Sequence, residues 1–239
     1  MSAIFSWFSQ HTLALFAVLI FVAIFFWLMR FQKTLNLFWK EAALISLVHV
    51  IVGWSCMRLM AYVEVGFEFE KAANIRLYGA IFTLPFAYYF WAKKTNRNPT
   101  LVMDVAAICV IFGAISGRFN CLTNGCCQGY PLYFPGWEIG WPLRELELLY
   151  YFLFIGYFAG KIQKGKTYGQ VYPIYLLSYG VLRFFSEFLR EEYTGTIGKL
   201  HLAHIWSLIA IVVGAVMYYK VKHKYKPGTV CRNNAKNNS

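Results

Sequence analysis

The sequence predicts an all-α integral membrane protein: seven transmembrane helices, with the N-terminus outside and the C-terminus cytoplasmic. Three observations carry this prediction. Of 239 residues, 59% are hydrophobic and only 14% charged, too apolar a balance for a soluble domain. Seven apolar runs approach the length that crosses a bilayer core. Basic residues collect in alternate connections between those runs, as the positive-inside rule requires.

The runs are His11–Met29, Ala42–Val63, Ile75–Trp91, Leu101–Ser116, Leu146–Gly160, Val171–Phe188 and Leu202–Tyr219. No basic segment and no small-residue cleavage site precede the first, so it reads as a retained span. The connections after runs one, three, five and seven hold Arg30, Lys33 and Lys40; Lys93, Lys94 and Arg97; Lys161, Lys164 and Lys166; and Lys220, Lys222, Lys224 and Lys226. Those after runs two and six hold Glu64, Glu68, Glu70, Glu191 and Glu192. The net charge of +12 is thus spread over short clusters suited to anionic lipid, not gathered into a nucleic-acid surface. Residues 1–225 form one membrane domain by this reading, and the Asn- and Lys-rich residues 226–239 a disordered cytoplasmic tail.

Directly after the fourth run comes Gly117–Pro131, GRFNCLTNGCCQGYP, with no polar linker. A polar, turn-rich segment against a buried helix is unfavourable unless it lines a site. The positive-inside assignment puts it on the outer face, as the floor of an active site. Gly125, Gly129, Pro131, Pro135, Gly136 and Pro142 break any long helix up to the fifth run, which predicts a small extracytoplasmic cap between helices four and five.

Charges inside apolar runs need a partner or a purpose, because each costs about 2.5–3.5 kcal/mol at mid-span on insertion scales. Tyr179, Arg183, Glu187 and Arg190 follow each other at spacings of four, four and three, which sets them on one helix face. An interhelical salt bridge with a snorkelling Arg190 would explain them, and so would an anion site. Arg118 opens the central stretch near the same face. Two guanidiniums around one phosphate could hold a headgroup and stabilise a leaving phosphate. Arg144, Glu145 and Glu147 start the fifth run, where early-turn carboxylates suit the helix dipole. Arg58 and Asp104 read as structural partners, and His49, His201 and His204 as hydrogen-bonded structural residues.

Of six cysteines, Cys56 and Cys109 lie within apolar runs and Cys231 in the tail. Cys121, Cys126 and Cys127 cluster, yet their spacing is not that of a zinc site and no histidine lies alongside. They read as small residues packing a tight turn. No metal and no cofactor are expected.

The segments GRFNCLTNGCCQGYP, WPLRELELLYY and SYGVLRFFSEFLRE together resemble bacterial prolipoprotein diacylglyceryl transferases. That family has a Gly-Arg-x-Gly-Asn-Phe-x-Asn-Gly-Glu-x-x-Gly signature, a His-Pro-x-Gln-x-Tyr-Glu box and a later Tyr-Gly-x-x-Arg-x-x-x-Glu-x-x-Arg. The resemblance implies a seven-span enzyme of the bacterial cytoplasmic membrane. Such an enzyme moves a diacylglyceryl group from phosphatidylglycerol to the cysteine thiol of an exported prolipoprotein, and releases glycerol 1-phosphate. It assigns Arg118, Arg183 and Glu187 to catalysis. Arg118, Arg183, Arg190, Tyr179, Asn124, Gly129, Glu147, Cys121 and Cys126 fall at substrate-binding positions, and Gly125 at a signature glycine. Cys121 stands where the family has Asn, Cys126 where it has Glu, Trp141 where the box has His, and Arg144 at its Gln. In the third run the family's Phe-His-Gly-Gly becomes Leu77-Tyr78-Gly79-Ala80, which puts Tyr78 at the catalytic His position. The acceptor would then be deprotonated by Tyr78, Glu187 or a signature cysteine. Other readings are a non-catalytic phospholipid- or peptide-binding membrane protein, a related transferase with a different acceptor, and a redox or metal protein built on the three clustered cysteines.

Overall fold

The computed structural model describes residues 2–64, 66, 76–134, 137–190, 196–197 and 200–224. The tail expected at 226–239, Cys231, and the acidic positions Glu68, Glu70, Glu191 and Glu192 therefore lie outside the described residues.

Among the described residues, seven long helices lie over the seven apolar runs: α1 (Ser2–Met29), α3 (Trp39–Glu64), α4 (Leu77–Lys94), α5 (Pro99–Thr123), α6 (Leu143–Gln163), α7 (Val171–Glu187) and α8 (Leu202–Lys224). A single helical turn, α2 (Gln32–Leu35), links the first two. Three of the long helices, α3, α5 and α8, are each long and apolar enough to cross a membrane, and α1 adds the shorter apolar stretch Ala14–Met29.

Helix α5 is the axis of the bundle. Val105, Ala106, Ala107, Ile108, Cys109, Val110 and Ile111 are buried in unbroken succession, so every face of it is covered. Helices α1, α4, α6 and α7 pack on it, while α3 lies on α1 and α4, and α8 on α7. Outward faces stay apolar: Leu19, Phe26, Leu44, Ile51, Leu153 and Val212 are all exposed, as suits contact with lipid.

At one end of the bundle, Asn98 caps α5 by accepting from Thr100 N, with Pro99 in the first helical position. Nearby, Arg97 donates to Leu35 O and Asn36 O and pairs with Glu41. Asp104, fully buried, accepts from Thr167 Oγ1, Gly169 N and Val171 N, which ties α5 to the start of α7. Asp104 thus has the structural partners its sequence context suggests.

The opposite end differs from the expectation in two ways. The helix does not stop at Ser116 but runs on through Thr123, so the first half of Gly117–Pro131 is helical. Gly117, Asn120 and Cys121 tolerate the helix; the stop comes at Gly125, whose φ of +67° lets Cys126 N reach back to Cys121 O. The segment that follows is not purely irregular either. Strands β1 (Pro131–Phe134) and β2 (Trp137–Gly140) form an antiparallel hairpin with Pro131 opposite Gly140. A shorter pair, β3 (Thr196–Ile197) and β4 (Leu200–His201), leads into α8.

Gly129 fastens the hairpin to α7. A Cβ there would stand 2.4 Å from Trp141 Cβ and 2.9 Å from Leu189 O, so only glycine admits the crossing. Gly129 bridges to Arg190, and Tyr130 N donates to Leu189 O at 2.9 Å.

Candidate active site

The ends of α5, α6 and α7 bring five charged side chains into one continuous relay, which His201, just before α8, joins. Arg118, near the end of α5, meets Glu147 of α6 at 2.6 Å (Nε to Oε2). The other oxygen of Glu147 accepts from Arg183 Nη1 at 3.1 Å. Arg183 Nη2 lies 2.7 Å from Glu187 Oε2, one turn further along α7. Arg190 approaches the same oxygen at 3.8 Å, and His201 Nδ1 stands 3.3 Å from Glu187 Oε1. Every one of these side chains is buried, with Glu147 at 2% and Glu187 at 0% exposure.

Three guanidiniums against two carboxylates leave the relay with one positive charge in excess. Arg190 Nε is buried without a hydrogen-bond partner among the described residues. An enclosed cation with an unanswered donor suits a singly charged, hydrogen-bond-accepting anion.

Beneath the relay lies a tyrosine stack. The Tyr179 ring centroid is 5.8 Å from that of Tyr78, 6.1 Å from Tyr151 and 5.6 Å from Tyr175. Tyr78 is buried, and its hydroxyl shares a 2.7 Å hydrogen bond with Ser207 of α8. Beside the relay, an apolar groove of about 490 Å³ runs along α6 and α7, lined by Leu149, Leu153, Phe154, Tyr157, Phe158 and Ile174. It reaches Leu146, the residue before Glu147.

Above the relay sits a thiol cluster. Cys121 shares a face of α5 with Arg118, one turn away, and Cys127 is turned back by a φ of +62°. The sulfur atoms of Cys121, Cys126 and Cys127 all lie within 4.8 Å of one another, and Cys121 Sγ donates to Cys127 Sγ at 3.7 Å. That hydrogen bond, together with the Arg190 and Arg118 guanidiniums, holds the Cys127 thiol well below the usual thiol range. Arg144 steadies the loop by donating to Cys121 O and Cys126 O, both at 3.3 Å.

The fold thus gathers Arg118, Glu147, Arg183, Glu187 and Arg190, sets Tyr78 and Tyr179 below them, and places Cys121, Cys126 and Gly129 above. Asn124 is not brought in: it is exposed at the end of α5, with its amide on Asn120 Oδ1. Three residues join the site in roles that the sequence reading does not give them. His201 enters through Glu187, Ser207 through Tyr78, and Arg144 through loop carbonyls. For His201 a clue did exist, since it opens the run that follows the Arg183–Arg190 face.

Fold and site together define a helical membrane protein with an enclosed, arginine-lined site at one end of its bundle. The chain belongs to the prolipoprotein diacylglyceryl transferase family, whose model matches residues 3–220. Among its relatives, the phosphatidylglycerol–prolipoprotein diacylglyceryl transferase of Clostridium tetani is 27% identical over 157 residues, covering 59% of this chain and 62% of the relative. The enzyme of that name from Finegoldia magna is 27% identical over 159 residues, covering 64% and 63%. That of Polynucleobacter necessarius is 32% identical over 131 residues, covering 49% and 48%. The chain thus spans between about half and two thirds of the length of these relatives.

Proposed function

We propose that the protein is a membrane transferase that moves the diacylglyceryl group of phosphatidylglycerol onto the cysteine thiol of a prolipoprotein and releases glycerol 1-phosphate. The observation that carries this reading is the convergence of Arg118, Arg183 and Arg190 in one enclosed site, with Arg190 Nε lacking an acceptor among the described residues, as a phosphodiester headgroup requires. As the thiolate attacks the glyceryl carbon, the C–O bond breaks and the phosphate gains a second negative charge. Guanidiniums fixed by Glu147 and Glu187 therefore hold the transition state more tightly than the bound lipid.

Within this reading Arg118 and Arg183 contact the phosphate, and Glu147 and Glu187 keep them oriented. Arg190 supplies a further donor through its unpartnered Nε. Tyr78 and Tyr179 form the floor; the bond between Tyr78 and Ser207 favours a positioning role over proton transfer. The acyl chains occupy the α6–α7 groove, whose end adjoins Glu147.

In this reading the protein has seven membrane spans with the N-terminus outside, and the site faces the outer side of a bacterial cytoplasmic membrane, where exported prolipoproteins emerge. The alternation of basic and acidic connections supports this topology. Residues 1–225 act as one membrane domain. Impermeant thiol reagents should then label Cys231 only from the cytoplasmic side.

Purified protein, vesicles containing phosphatidylglycerol labelled in its terminal glycerol, and a cysteine peptide of prolipoprotein type provide the test. Lipidated peptide and labelled glycerol phosphate are expected in equal amounts. Tight binding of the lipid with no transfer to the thiol would replace this reading with a non-catalytic lipid-binding protein.

A further inference from the structure

The thiol cluster completes a chemistry that the arginine relay lacks. A relay built of arginines and paired glutamates can receive a phosphate, but its one imidazole, His201, is engaged by Glu187 at 3.3 Å, and the sulfur groups nearest the relay belong to the cluster above it. Glu187 is enclosed by Arg183, Arg190 and His201, and the Tyr78 hydroxyl is engaged by Ser207. Just above stand three sulfur groups, Cys121 on the last turns of α5 and Cys126 and Cys127 on a loop pinned from both sides, by Arg144 on the Cys121 and Cys126 carbonyls and by Gly129 against the end of α7.

Their geometry is that of a coordination triangle. Zinc–thiolate bonds of ~2.3 Å at tetrahedral angles put neighbouring sulfurs ~3.8 Å apart. Cys121 and Cys127 are already at 3.7 Å, and Cys126 lies within 4.8 Å of both, so a small side-chain rotation closes the triangle. Linear spacing argues against a zinc site because two of the ligands are adjacent in sequence. The turn at Gly125 and the left-handed Cys127 overcome that by aiming both toward Cys121 on the helix.

We propose that Cys121, Cys126 and Cys127 hold one zinc ion whose fourth position takes the acceptor thiol, so that the metal activates the sulfur nucleophile beside the arginines that receive the leaving phosphate. Three protein ligands with one open position is the arrangement of a catalytic zinc, and a thiol that coordinates such an ion is held as thiolate. The acceptor S–H gives its proton to solvent on binding. Its sulfur lone pair then forms the C–S bond to the glyceryl carbon, and the C–O electron pair leaves with glycerol phosphate. Nothing is oxidised or reduced. The inference rests on the transferase reading for its substrates, while the metal site stands on the sulfur positions alone.

The test uses tag-free protein, reduced, stripped with a chelator and titrated with cobalt(II) and zinc(II) chloride. One ion per chain is expected, with strong thiolate-to-cobalt absorption in the near ultraviolet that zinc abolishes. Binding should weaken at least ~10-fold in Cys121→Ser, Cys126→Ser and Cys127→Ser. Helical circular dichroism and thermal unfolding in detergent check that these variants are folded. On the unaltered protein, zinc should protect Cys121, Cys126 and Cys127, but not Cys56, from alkylation read by mass spectrometry. A cysteine peptide should shift the visible bands of the cobalt-loaded protein, and its serine counterpart should not.

Absent binding, absent protection, or a Cys121–Cys127 disulfide that persists in reductant overturns the site. Undiminished lipid transfer by stripped protein or by the serine variants overturns its catalytic part and leaves the transferase reading intact. Zinc and peptide binding without lipid transfer under any loading refutes the transferase reading while upholding the thiol-binding metal site.

Discussion

Glu147 Oε1 and Arg183 Nη1 meet at 3.1 Å between α6 and α7, two helices that otherwise touch little. This one pair positions the arginine that the lipid phosphate is proposed to meet. Arg183→Ala would remove the cation that the buried carboxylates Glu147 and Glu187 share, leaving Arg118 beside the first and Arg190 beside the second. It should lose transfer and also about 3–5 kcal/mol of stability, the usual effect of breaking a buried pair from one side. Thermal unfolding in detergent beside the activity assay reads both; a stable variant with ordinary turnover would refute the relay's role.

Arg118 separates charge from shape. Arg118→Ala should reduce turnover by ~10²–10³, the range for removing one donor to developing charge. Arg118→Lys restores the charge but not the planar fork, so most of that loss should remain. Steady-state kinetics on both variants decide it, and near-normal rates in the lysine variant would mean that only the field matters.

Tyr78→Phe deletes the hydroxyl bonded to Ser207 and keeps the ring on Tyr179. A positioning role predicts a loss of about 1 kcal/mol in stability and a modest change in rate. A fall of several orders of magnitude at unchanged lipid affinity would instead make Tyr78 the proton acceptor.

Asp104→Ala tests the end of the bundle away from the site. It leaves Thr167 Oγ1, Gly169 N and Val171 N without their acceptor, and each buried orphan costs about 1–3 kcal/mol. Stability should fall by several kcal/mol, while the turnover of the folded fraction is retained. Selective loss of turnover would contradict a purely structural Asp104.

Gly129→Ala forces a methyl against Trp141 and the Leu189 carbonyl. Overpacking of this kind costs about 1–3 kcal/mol and should lift the hairpin, taking the cysteine loop with it. The expected signature is weakened metal binding with phosphatidylglycerol affinity largely kept.

How much was legible in the sequence follows from the range of the interactions. The Tyr179–Arg190 face was readable because a helix repeats every 3.6 residues, and the seven runs because bilayer thickness sets their length. The pairing of Arg118 with Glu147 was not, since it spans helices and no local period encodes it. The end of α5 was placed too early because Gly117, Asn120 and Cys121 look like turn residues. They end no helix unless a left-handed residue follows, and that residue is Gly125. The hairpin was visible as a break in helical character, but its pairing depends on how Gly129 crosses Leu189 and Trp141. The cysteines were the hardest, because adjacency in sequence argued against a site that only the fold assembles.

The α6–α7 groove has a kinetic consequence. It faces outward along the bundle's apolar flank, so a lipid sliding in from the side would keep its acyl chains in hydrocarbon throughout. Donor supply is then governed by mole fraction within the leaflet and by lateral diffusion in two dimensions. A peptide acceptor of the proposed kind would instead arrive from the aqueous side, and its supply would follow ordinary encounter in three. One catalytic centre would therefore answer to two kinds of concentration, and diluting phosphatidylglycerol with a neutral lipid would slow it where adding more vesicles would not speed it.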